Sequence, residues 1–231
     1  MKKEQTAKIL IAFVLILASW FMGAKGHAQS SSPQFLITWQ AKSYAPPEYR
    51  GRILATAGSP ITASFDLIDG GKVADLTNQT IYWYLDDQLI SNAPGKQTVS
   101  FLAPDTAPNI LKLRIQLPSY NNNLLLKVVQ IPVVTPEVVI ESPYPDGTVG
   151  GSSISLKGAP YFFNVLNPLA LSFSWSVNGQ TAESKENPDE LIASINPDAR
   201  TGSTLNIGLG AQNPKNNSEA ADKNLVLTFV K

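Results

Sequence analysis

The chain has 231 residues, 18 basic and 18 acidic side chains, one histidine and no cysteine. Without cysteine there can be no disulfide framework, no thiol nucleophile and no thiolate metal site. The zero net charge, with no basic face marked out in the sequence, argues against a nucleic-acid binder.

The N-terminus reads as an export signal. Lys2, Lys3 and Lys8 form a positive n-region, and residues 9–22 are a nearly unbroken apolar run of 14 residues. A membrane-spanning helix needs roughly 20 apolar residues, so this run is short for a permanent anchor. Gly26-His27-Ala28 places small residues at the −3 and −1 positions, which predicts cleavage before Gln29. The alternative is an uncleaved anchor over residues 9–24 with its lysines on the cytoplasmic side. Cleavage would remove four lysines and one glutamate, leaving 14 basic against 17 acidic side chains. The resulting charge near −3 also disfavours docking on an anionic membrane. A lysine-led signal with no cysteine fits a bacterial exported protein.

Residues 34–136 are expected to form a first domain. Short alternating or β-branched runs at 35–40, 61–68, 80–85, 98–102, 111–117 and 124–134 read as strands. Between them lie Ala45-Pro46-Pro47, Gly58-Ser59-Pro60, Asp69-Gly70-Gly71, Asn92-Ala93-Pro94-Gly95 and Asn121-Asn122-Asn123, all turn formers. A second domain is expected over 137–231. Its strands are placed at 138–141, 153–156, 161–164, 171–177, 191–195, 203–209 and 225–230, with residues 213–223 as a polar loop. Pro160-Tyr161-Phe162-Phe163 is too apolar for a free loop and is expected in the core. Pro132 and Pro136 lie in a junction without glycine, which predicts a short, stiff passage between the domains.

One pattern occurs twice. Trp83-Tyr84-Leu85-Asp86-Asp87-Gln88 matches Trp175-Ser176-Val177-Asn178-Gly179-Gln180, and each tryptophan sits in an alternating run. A proline follows each tryptophan, Pro104 after 21 residues and Pro197 after 22. A period near 92 residues built from short strands predicts two tandem β-sandwiches. The chain resembles tandem bacterial immunoglobulin-like domains, the group that includes PKD-like and fibronectin-III-like modules of envelope proteins. Trp83 and Trp175 stand at the position of the core tryptophan on strand C, and Asp86-Asp87 and Asn178-Gly179 at the turn that follows it. The disulfide of immunoglobulin domains is missing. The resemblance implies an all-β fold of two antiparallel sandwiches and a role in surface adhesion, spacing or assembly, and it carries over no catalytic residue.

Catalytic chemistry is poorly supplied. Once His27 leaves with the signal there is neither histidine nor cysteine for a Ser-His-Asp triad, a Cys-His pair or a histidine-ligated metal. Carboxylate chemistry of the glycosidase kind needs two facing acids. The candidates are Asp66, Asp69, Asp75, Asp86 and Asp87, with Glu141, Asp146 and Asp105 as a second set. Turn chemistry accounts for Asp69, Asp75, Asp86 and Asp87, and calcium would want oxygens converging from several loops. No catalytic, metal or cofactor residue is assigned.

Two aromatic clusters are the candidate contact surfaces. In an alternating strand Tyr82 and Tyr84 share the face opposite Trp83, so a buried Trp83 leaves the tyrosines outside. Tyr44-Ala45-Pro46-Pro47-Glu48-Tyr49-Arg50-Gly51-Arg52 contributes Tyr44, Tyr49, Arg50 and Arg52, residue types common at interfaces. The alternative for this stretch is a connection whose tyrosines cover an open end of the sandwich. The expected function is a non-enzymatic exported or membrane-tethered envelope protein, a spacer or interaction unit. Its partners would be other envelope or surface proteins or cell-wall polysaccharide, with no nucleic acid, and with membrane contact only through an uncleaved N-terminal segment. The competing reading is a carbohydrate-binding or carboxylate-based accessory domain.

Overall fold

The computed structural model describes residues 32–106, 109–184 and 187–231; the predicted signal segment lies outside them. The first half contains β1 (Gln34–Ala41), β2 (Pro60–Asp69), β3 (Lys72–Val73), β4 (Thr80–Leu85), β5 (Gln88–Pro94), β6 (Thr98–Leu102), β7 (Ile110–Tyr120) and β8 (Asn123–Pro132). The second contains β9 (Glu137–Glu141), β10 (Thr148–Val149), β11 (Ser153–Tyr161), β12 (Ser172–Val177), β13 (Gln180–Ala182), β14 (Glu190–Ser194), β15 (Thr204–Asn213) and β16 (Asn216–Phe229). A single 3-10 turn, Pro168–Ala170, is the only helical element among the described residues. Among those residues no helix is long and apolar enough to cross a membrane.

Each half stacks two sheets. In the first, β2 pairs with β1 along one edge and with β3 and β6 along the other, and this sheet faces a second in the order β5-β4-β7-β8. In the second, the sheet β14-β11-β9 faces β10-β16-β15-β12-β13. Alternation decides what is inside. Along β4, Ile81, Trp83 and Leu85 are buried and Tyr82 and Tyr84 are half-buried on the opposite face. Along β7, Leu111, Leu113, Ile115 and Leu117 point inward. The first-half residues form one hydrophobic cluster from Ala41 to Val133 and the second-half residues another from Val138 to Phe229.

The two tryptophans play the same part. Trp83 is fully buried and its indole N–H donates to Lys96 O at 2.8 Å. Trp175 is 3% exposed and donates to Pro188 O at 3.1 Å, again 13 residues downstream. A buried indole needs such a partner, so the strand after each hairpin is placed partly by the tryptophan itself. The following turns match as well. Asp86 and Asp87 have φ of 45° and 67°, and Asn178 and Gly179 have 50° and 77°, the left-handed pair of a type I′ hairpin. Asp86 Oδ1 accepts from Lys112 N–H and Asn178 Oδ1 from Asn206 N–H, both at 2.9 Å. Each turn thereby pins the start of the neighbouring strand.

Three expectations need correction. No separate strand forms at 161–164: β11 ends at Tyr161, and the left-handed Phe162, φ 62°, turns the chain out of the sheet. Residues 213–223 are not a polar loop: β15 and β16 form a long hairpin, and the polar stretch from Asn216 onward is paired strand. Its polar side chains are tolerated because one face is solvent and β16 is a sheet edge over most of its length. Asn92-Ala93-Pro94 likewise belongs to β5, which pairs with β4, and the turn comes at Gly95. Pro94 fits there because β5 is an edge strand.

The halves meet at a built joint. Only residues 133–136 separate β8 from β9. Tyr44 N–H donates to Phe163 O at 2.7 Å and Phe162 N–H to Tyr44 O at 2.6 Å. Phe162 takes φ of 62°, a left-handed conformation that costs a non-glycine residue about 1–2 kcal/mol. Its ring packs edge-on against Tyr49, centroids 5.8 Å apart. Beside it, Asn164 spans the gap: its amide N–H donates to Ala57 O and its Oδ1 accepts from Ser59 Oγ, both at 2.7 Å. Asn164 is held in turn by Glu219, a carboxylate only 2% exposed that also accepts from Asn213 and Asn216.

Candidate functional site

The six contact residues read from the sequence fall into two separate places. Tyr44 and Tyr49 lie at the joint. Tyr49 packs edge-on against Tyr161 and Phe162, and its hydroxyl donates to Arg52 O at 3.3 Å. Burial, then the nearby Glu48 and Asp189 carboxylates, raises the Tyr44 phenol above its ordinary pKa. Burial, then Glu141 and Glu48, does the same for Tyr161. Arg52 stacks over Trp39, 4.8 Å from the ring centre, and Arg50 is exposed. In this arrangement the loop clasps the second half.

Tyr82 and Tyr84 lie elsewhere, on the outer face of the β5-β4-β7-β8 sheet. Their rings are nearly parallel, 15° apart, with centroids separated by 6.4 Å. Strand register places Gln116 and Leu126 beside Tyr82, and Arg114 and Val128 beside Tyr84. The Arg114 guanidinium lies 4.1 Å from the Tyr84 ring centre and pairs with Asp87 at 3.3 Å. Asp87, Arg114, Tyr84 and Tyr82 thus form a ladder along the face. Leu126 and Val128 are 47% and 44% exposed, Leu124 58%, and Leu89 on the other edge 51%. A continuous surface of aromatic, apolar and arginine side chains has the composition of a contact core rather than of ordinary solvent-facing sheet.

Arg114, Gln116, Leu126 and Val128 were not singled out from the sequence. The signal was there: β8 carries apolar residues at both parities, Leu124, Leu126 and Val128 outward as well as Leu125, Val129 and Ile131 inward. A strand that is apolar on both faces needs something on each.

The aspartates do structural work. Asp75 Oδ1 accepts from both the Thr77 N–H and its hydroxyl, which lowers the Asp75 pKa. Asp69 accepts from the Tyr120 hydroxyl at 2.8 Å, the first cause of a raised Tyr120 pKa. Among the described residues no three histidine, cysteine, aspartate or glutamate side chains are grouped to hold a metal ion.

No family model matches the chain, and no curated protein sequence matches it. Solved structures do. The fibronectin(III)-like modules of Clostridium thermocellum CbhA match at 15% identity over 84% of this chain and 93% of theirs, with a TM-score of 0.31. Three N-terminal domains of the bacteriophage RB49 outer capsid protein Hoc match at 14% identity over 85% of this chain and 59% of theirs, with a TM-score of 0.41. The Yersinia pseudotuberculosis adhesin InvE matches at 15% identity, 84% and 59% coverage and a TM-score of 0.29. The chain is similar to fibronectin-III-like and immunoglobulin-like modules. It spans about three fifths of the length of the capsid and adhesin structures.

Proposed function

We propose that the protein is a non-enzymatic interaction module of the bacterial cell surface, made of two immunoglobulin-like domains, residues 34–136 and 137–231, exported by the segment 1–28. The outer sheet face bearing Tyr82, Tyr84 and Arg114 is its contact surface. The observation that carries this reading is that face: two near-parallel tyrosines and a stacked arginine flanked by exposed leucine and valine. Large patches of this kind are unusual on a free soluble domain. The lysine-led apolar N-terminus supports export, and the hydrogen bonds across the joint support a spacer role.

The partner is a surface protein or a cell-wall polysaccharide; tyrosine rings and a guanidinium suit either. Retention on isolated cell envelopes tests the proposal. The wild-type protein should be retained, and Tyr82→Ser/Tyr84→Ser should lose at least tenfold in retention with its folding intact. Undiminished retention in that variant would remove the face from the mechanism. Glycan competition that displaces the wild type would assign the partner to polysaccharide.

A further inference from the structure

The repeat makes the outer faces of the two halves comparable position by position. In the first half, register aligns Tyr82, Gln116 and Leu126 in one row and Tyr84, Arg114 and Val128 in the next. In the second, the rows are Ser174, Gly210 and Asp222, then Ser176, Gly208 and Asn224. Trp83 and Trp175 occupy the same place between these rows, on the buried side. Six bulky positions in one half therefore correspond to six small or short polar ones in the other.

The result is a ridge and a trough. The trough runs across the middle of the second-half sheet, floored by Gly208 and Gly210, with Ser174 and Ser176 on one wall and Asp222 and Asn224 on the other. A side chain at Gly208 would begin 2.5 Å from Ser176 Oγ, and one at Gly210 would begin 2.6 Å from Ser174 Oγ. Both glycines have ordinary negative-side strand conformations, so no turn explains them. Glycine inside a strand weakens the strand, and it often marks a place where another backbone comes close.

Charge separates the faces as well. The ridge carries Arg114, paired with Asp87, and Lys112 in the next outward position of β7, bonded through its backbone to Asp86 of the hairpin. Asp222 gives the trough a negative wall, with Glu183 near one end of the depressions. Ridge against ridge would set bulky side chains against each other, and trough against trough would leave a gap. Ridge against trough lets large side chains interdigitate with small ones, as packed sheets about 10 Å apart require.

We infer that the ridge of one copy docks in the trough of a second copy. This rests on the reading of the Tyr82/Tyr84 face as a contact surface, and names its partner. Because one copy carries both faces, the contact is head-to-tail and propagates into an open array rather than closing at a dimer. The phenol hydroxyls and Gln116 would meet Ser174, Ser176 and Asn224, and the Arg114 guanidinium would meet Asp222.

Sedimentation velocity on the purified protein tests this without any other partner. The wild type should grow beyond dimers with concentration, and added salt should weaken the association. Two variants break it from opposite sides: Tyr82→Ser/Tyr84→Ser flattens the ridge, and Gly208→Gln/Gly210→Gln fills the trough. Each alone should be monomeric. An equimolar mixture should give a one-to-one dimer that grows no further, since one intact ridge and one intact trough remain. If the glutamine variant does not fold, Asp222→Lys, a solvent-face change, should weaken association at least tenfold instead. A wild type that stays monomeric at all concentrations overturns the inference. So does association that either side's variant retains, or a mixture that fails to pair. Envelope retention that survives in a monomeric wild type would sink self-docking alone and leave the face's role in place.

Discussion

At the residue scale, stability is concentrated in a few side chains. Burying a tryptophan removes roughly 150–250 Å² from water. Trp175→Ala also orphans the Pro188 carbonyl it bonds. The expected loss is about 3–5 kcal/mol, enough to unfold the second half near growth temperature, read by thermal melting. An unchanged melting temperature would contradict the burial. The role of both tryptophans was legible from alternation, because Trp83 and Trp175 sit at the apolar parity of their strands. Asn164 and Glu219 were not legible. Asn164 falls at the end of an expected strand and Glu219 in an expected polar loop, and only the fold brings residues 55 positions apart into one hydrogen-bonded cluster.

At the element scale, long edge strands are a hazard, since their free N–H and C=O groups can pair with another chain. The two longest edges carry the same safeguard. Lys127 on β8 sits opposite buried Ile115, and Lys223 on β16 sits opposite buried Leu209, so both lysines have inward parity while remaining exposed. An inward-directed charge at an edge discourages further strand addition. Lys127→Val/Lys223→Val should aggregate on concentration, seen as light scattering, while its melting temperature holds or rises. A soluble double variant would mean the edges are protected by something else. This pairing explains why β16 was misread. Asn, Ala, Asp and Lys have low strand propensity, but a partner as regular as β15 imposes the strand, and propensity is a weak prior against tertiary context.

At the scale of the whole molecule, the joint decides whether the protein is two beads or one rod. The short proline-containing junction was legible in the sequence, but it is the lesser part. The clasp from Tyr44 to Tyr49, the left-handed Phe162 and the Asn164 bridge come from segments far apart in the chain, and no local pattern announces them. Asn164→Ala removes two bonds across the gap and takes one of four donors from a buried carboxylate. Hydrogen bonds to a charged group contribute about 1.5–3 kcal/mol each. The variant should lower the stability of the joint and broaden the distance between spin labels placed on the two halves. An unchanged distance distribution would show that the junction alone sets the angle.

The central claim is that the molecule works through the outer face of its first half. The most direct measurement compares envelope retention of three folded proteins: the wild type, Tyr82→Ser/Tyr84→Ser, and Ser174→Tyr/Ser176→Tyr, which builds the same side chains onto the other half. The account predicts retention of the first and third and loss in the second. Equal retention of all three would contradict it, and retention lost only in the third would move the contact surface to the second half.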